Sequence, residues 1–232
     1  MRTARSISSD IDSAANRVNG SFTGPVLTIH VTNPEARTYT AHEALLTRCS
    51  RALQKAVREL GPACRDRHVY LDNVDHNAFN NYLNWQYRGA IYAADDKQSD
   101  SPDQSTTWPL LIRGFLLSIR LEDSEYGDAV SDAMITVFSI REGCDDRLPN
   151  HQSKQLLYAN TVPLAGVRRM LVQMYAHIRD PVLLDDRDPP EFLLETSKAM
   201  MSGAAEDPLV PAARCQFHEH GDDQLCYRTS CR

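Results

Sequence analysis

The chain has 232 residues, 42% of them hydrophobic and 24% charged, enough apolar material for one large domain or for a modest domain with an extension. Its formal net charge is −6 and its pI is near 5.7. No overall field therefore draws it toward nucleic acid or an anionic membrane, and no long Lys/Arg run supplies a local one. No stretch reaches the roughly 18–20 apolar residues that span a bilayer.

The opening residues are basic and small-polar without an apolar segment, so they do not read as a secretory signal; a disordered tail over residues 1–23 fits them better than a targeting segment. The six cysteines fall unevenly: Cys49, Cys64 and Cys144 are scattered, while Cys215, Cys226 and Cys231 crowd the C-terminus. Without a secretory signal, their even number does not argue for disulfides. The expectation is a reducing compartment, cytoplasm or nucleus.

Val26-Leu27-Thr28-Ile29-His30-Val31 alternates and is rich in β-branched residues, which predicts a strand. Asn33-Pro34-Glu35 supplies a turn, and Thr38 to Ala41 returns as a second strand whose register the loop leaves open. Spacing then becomes helical. Ala44, Leu45 and Cys49 suit one short helix, and Leu53, Ala56, Val57 and Leu60 suit a second, with Ser50 as its N-cap and Gly61-Pro62 as its stop. His68 to Leu71 is a short strand.

Asp75 then caps a helix, with Val74 before it and Phe79 inside it placed as a hydrophobic staple. Phe79, Tyr82, Leu83, Gln86 and Tyr87 are its expected face, with Trp85 beside that face and Gly89 as the stop. Ala94 to Thr107 is a polar surface loop. Leu111, Phe115, Ser118 and Ile119 mark the next helix, and Tyr126, Ala129, Val130, Ala133, Met134, Val137 and Phe138 another. Gly143 to Asn150 reads as a linker. Leu164 to Ile178 gives a helix starting near Pro163, and Phe192 to Met201 one more. The fold class is therefore α+β, with short strands and a helical cluster.

These segments resemble the BTB/POZ domain in the version common among fungal proteins. Gly24-Pro25-Val26-Leu27-Thr28-Ile29 resembles its first strand, and Tyr39-Thr40-Ala41-His42-Glu43-Ala44-Leu45-Leu46 its step from strand to helix. Val69 to Asp75 and Phe79 to Gly89 resemble its aromatic helix signature, and Leu111 to Phe138 its final helix pair. Tyr158-Ala159-Asn160-Thr161 with Arg168-Arg169-Met170-Leu171-Val172, and later Cys215-Gln216-Phe217-His218-Glu219-His220, resemble the fungal extension. The chain departs from the family in having Arg51-Ala52-Leu53 after Ser50, where an aromatic is usual, and in its long loop from Ala94. The resemblance implies a tail over 1–23, a BTB/POZ-like domain over 24–142, a helical extension over 150–213 and a Cys/His-rich tail over 214–232. It also implies a non-enzymatic protein-interaction module that forms homo-oligomers, while charge and the lack of apolar spans give the expectation of no nucleic-acid or membrane partner.

Candidate chemistry is sparse. His42 reads as a structural residue at a strand–helix junction, and Asp72 and Asp75 as helix caps before they read as paired carboxylates. Trp85 and Tyr87 suit a helix core better than a base-stacking platform. Neither a G-x-G-x-x-G nor a P-loop pattern is present, so a nucleotide cofactor is unsupported. Val57-Arg58-Glu59 resembles the hydrophobic-x-Glu element through which some BTB domains contact a cullin scaffold; there Val57 would fill an apolar pocket and Glu59 meet a charge at its rim.

The sharpest signal is the tail, where Cys215, His218, His220, Cys226 and Cys231 gather soft and borderline donors within seventeen residues. Cys215, His218, His220 and Cys226 are the candidate metal ligands, with zinc as the metal, against the alternative of a frayed tail without one. Two functions stay open: an interaction module, including substrate adaptor for a cullin-type ubiquitin ligase, and a zinc-stabilised protein whose tail carries binding or hydrolytic function.

Overall fold

A computed structural model describes residues 24–61, 66–93, 106–140, 147–202, 215–220 and 226–230. The expected tail over 1–23, nearly all of the Ala94–Thr107 loop, the first half of the 143–150 linker, and Cys64, Cys144 and Cys231 lie outside the described residues. The architecture is mixed α and β. Strands β1 (Val26–Asn33) and β2 (Arg37–His42) lead into helices α1 (Glu43–Cys49) and α2 (Arg51–Leu60). Strand β3 (His68–Asp75) follows, then helices α3 (His76–Arg88), α4 (Thr107–Leu121), α5 (Ser124–Ile140), α6 (His151–Ala159), α7 (Gly166–Ile178), α8 (Pro190–Ser202) and the short α9 (Tyr227–Ser230). Among the described residues, no helix is long and apolar enough to cross a membrane.

The described residues divide into two compact units. One is built from those up to Tyr92 together with Arg113–Gly127 and Cys226–Ser230; the other from those within Ala93–Ile112 and Asp128–Asp222.

The first unit holds the three-stranded sheet, in the order β2-β1-β3. β1 and β2 form an antiparallel hairpin with Val26 opposite His42 and Val31 opposite Arg37. β3 runs parallel to β1, with Ile29 opposite Val69. The two-residue period sends Leu27, Ile29, Val31, Ala41, Val69 and Leu71 into the core. His30 lies on the other face, stacked on His68 and on the exposed Tyr70.

Side chains cap the starts of α2 and α3 in this unit. The Ser50 hydroxyl accepts from the Leu53 N–H at 3.1 Å and donates to the Leu121 carbonyl at 2.6 Å, so one buried serine serves two elements. The Asp75 carboxylate accepts from the Asn77 and Ala78 N–H groups, and Gly89 ends α3 in the left-handed conformation that its missing Cβ allows. The buried face of α3 is rotated from the expected one: Ala78, Phe79, Tyr82, Trp85 and Gln86 go inside, whereas Leu83 and Tyr87 are half-buried. Trp85 is buried because Tyr227 of α9 meets it edge-on at 5.6 Å between ring centroids, a partner far along the chain. Asp123 closes this core by accepting from the Tyr82 hydroxyl, the Gln86 amide and the Tyr126 N–H.

In the second unit, Ala129, Val130, Ala133, Met134, Val137 and Phe138 of α5 are all buried. Helix α6 falls where the sequence pattern shows no helix, and the reason is its inner face. That face consists of Ser153, Lys154, Leu157 and Tyr158, so half of it is polar and no apolar stripe announces it. Lys154 reaches Asp188 at 2.5 Å with both side chains buried, and its ammonium lies 4.7 Å from the Tyr175 ring centroid and 4.9 Å from that of Phe192. Helix α7 begins at Gly166 and not near Pro163, because Leu164 sits exposed with φ 67° and cannot open a right-handed helix. Arg168 is buried and donates to the carbonyls of Tyr158 and Thr161 and to the Thr161 hydroxyl, tying α6 to α7.

Candidate metal centre

Residues 215–217 form a single 3-10 turn, closed by the His218 N–H donating to the Cys215 carbonyl at 3.1 Å. Side chains three apart eclipse in such a turn, so the Cys-x2-His spacing brings Cys215 and His218 to one side. Phe217 inside the turn is buried and serves as its apolar anchor.

Hydrogen bonds hold this segment to α5 and α7 within the second unit. The Glu219 N–H donates to Asp128 Oδ1 at 2.7 Å, and the Glu219 carboxylate accepts from the Gly166 N–H at 2.8 Å, an acidic group at a helix N-terminus. Arg169 donates to the Gln216 carbonyl at 2.6 Å. Gly166 must be glycine for contact reasons, since a Cβ there would overlap the Phe217 carbonyl.

Within the second unit, one ligand atom each from Cys215, His218 and His220 lies within 4.8 Å of the others, so these three could contribute to holding a metal ion, while Cys226, the fourth expected ligand, belongs to the first unit. Zinc bonds of about 2.3 Å to sulfur and 2.0–2.1 Å to nitrogen place tetrahedral ligands roughly 3.3–3.8 Å apart. Closure therefore asks for movements on the order of 1 Å. A thiolate and two imidazoles are donors that zinc takes in tetrahedral sites.

The surroundings favour a cation. His218 is buried, with Nε2 3.4 Å from Asp132 Oδ1 and Nδ1 3.9 Å from Asp128 Oδ2. Burial pushes the Asp128 carboxyl up to about 6, against the opposing pull of the Glu219 N–H and the imidazoles of His218 and His220. Asp128, Asp132 and Glu219 escaped the sequence reading. The available signal was two aspartates one helical turn apart on α5, which only the folded positions connect to His218.

The other candidates lie apart from this centre. Val57 is half-buried and Glu59 exposed on α2. The His42 N–H donates to the Tyr87 hydroxyl at 3.0 Å, and that hydroxyl stands 2.8 Å from His42 Nδ1, which ties the strand–helix junction to α3. Asp72 is exposed, while Asp75 caps α3 and pairs with Arg113 at 3.0 Å, so the two do not converge as a carboxylate pair. Cys231 lies outside the described residues. No family model matches the chain, and no curated protein matches it.

Proposed function

We propose that this chain is a self-associating protein-interaction module, a BTB/POZ-like domain with a helical extension, whose last segment is fastened by a zinc ion. The observation that carries the interaction reading is element order: hairpin, two helices, a strand parallel to β1, then α3, α4 and α5, each on the residues that carry the resemblance. Buried polar side chains support it further, because Ser50, Asp123, Lys154 and Arg168 all hold elements together. Val26 and Tyr70 offer exposed apolar surface for partner contact. The adaptor version rests on Val57, half-buried on α2, as the pocket-filling residue and on the exposed Glu59 as the rim contact to a cullin-type scaffold. Pull-down with a purified cullin N-terminal domain tests it, and Val57→Ala with Glu59→Ala should abolish capture.

The zinc reading is favoured by the closeness of Cys215, His218 and His220 within one unit, with Cys226 as the expected fourth ligand. A short segment gains from a metal that links its ligands. Metal analysis of purified chain should return about one zinc per chain, and none after Cys215→Ser combined with His218→Ala.

A further inference from the structure

We infer that Asp132 is the positioning residue of this metal centre, receiving a proton-bearing Nε2 from His218 and leaving Nδ1 to face the ion. The inference rests on the zinc reading and adds a residue outside the ligand set. A histidine ligates through one ring nitrogen, and the hydrogen bond of the other fixes the tautomer and the ring plane. Both nitrogens of His218 have a carboxylate nearby, and distance decides between them. Asp132 Oδ1 is 3.4 Å from Nε2, outside the usual range of an N–H···O bond by a few tenths of an ångström. Asp128 Oδ2 is 3.9 Å from Nδ1, too far to accept, and the other Asp128 oxygen is engaged by the Glu219 N–H at 2.7 Å.

The two aspartates thus divide the work. Asp128 anchors the backbone between His218 and His220, and Asp132 orients the ring. Both stand on α5, four residues apart and therefore on one helix face. The side chains of His218, Asp128 and Asp132 are almost wholly withdrawn from solvent, so the charged acceptor acts with little screening by water and makes the imidazole a better donor to the ion.

The test is zinc affinity of the full chain, measured by competition with a chromophoric chelator, for wild type, Asp132→Asn and Asp132→Ala. Loss of the outer partner should weaken binding about 10–100-fold for Asp132→Ala. Asp132→Asn, which keeps an acceptor oxygen but not its charge, should fall between. Cobalt loading supplies a signature that a merely structural role would not move. The thiolate-to-cobalt charge-transfer band should persist in Asp132→Ala while the d–d bands shift. Should Asp132→Ala fail to fold, the near-isosteric Asp132→Asn carries the same comparison. Wild-type affinity and an unchanged cobalt spectrum in both variants would overturn the role of Asp132 and leave the ligand set standing. A wild-type chain that takes up neither zinc nor cobalt would overturn the site itself.

Discussion

At the scale of single residues, burial decides which groups are reactive. Burial, reinforced by the nearby carboxylates of Glu125 and Asp123, pushes the Cys49 thiol to about 12. Its thiolate is then scarce at neutral pH, and the thiolate is the nucleophile. Cys215 is exposed. Iodoacetamide at pH 7.5, followed by peptide mass spectrometry, should therefore modify Cys215 quickly in metal-free protein and Cys49 at least a hundredfold more slowly; zinc should protect Cys215. Lys154 presents the opposite case. Burial lowers its pKa while Asp188 holds the charge in place. Lys154→Met leaves the Asp188 carboxylate buried without its cation and should cost about 3–5 kcal/mol in denaturant unfolding. Lys154→Met combined with Asp188→Leu should recover most of that loss. The sequence hid this pair, since Lys154 sits in a polar stretch and Asp188 in a run that reads as a loop.

At the scale of elements, caps and close contacts carry the argument. Ser50→Ala removes both the α2 cap and the bond to the Leu121 carbonyl, and should cost about 2 kcal/mol by the same unfolding measurement. Gly166→Ala drives a Cβ into the Phe217 carbonyl, so the 215–220 segment must leave α7, and zinc affinity should fall with it. Asp123 gives a pH dependence. Burial raises its pKa despite the lowering effect of the Tyr126 N–H and the Tyr82 hydroxyl. The folded state then holds that proton more tightly than the unfolded one. Stability from this group is complete below the unfolded value of 3.8 and is lost as pH rises through the folded value. The stability of wild type relative to Asp123→Asn should accordingly decline as pH rises above 3.8.

Caps and alternating strands were legible because their causes are local: Ser50, Asp75 and Gly89 act within four residues of themselves, and the period of β1 is visible in six. Helix α6, the burial of Trp85 by Tyr227 and the aspartates behind His218 were not legible, because each depends on a partner distant in sequence. The metal ligands stood between these cases. Their crowding is visible in the chain, and the 3-10 turn that aligns Cys215 with His218 is local, but the anchorage through Asp128, Glu219 and Gly166 is a product of folding.

At the scale of the whole molecule, the claim is that this chain works by association. The expected domain layout of a BTB/POZ-like part followed by a helical extension rests on the resemblance, and the mixed α and β architecture provides the elements it needs. Exposed apolar side chains such as Tyr70 and Val26 give a surface for contact, but area and affinity are separate matters, so oligomeric state is the quantity to measure. Size-exclusion chromatography with multi-angle light scattering, at micromolar concentration and with zinc present, reads it directly. A mass at least twice the 26.1 kDa of one chain is expected; a mass of one chain, unchanged as concentration rises, would contradict the account.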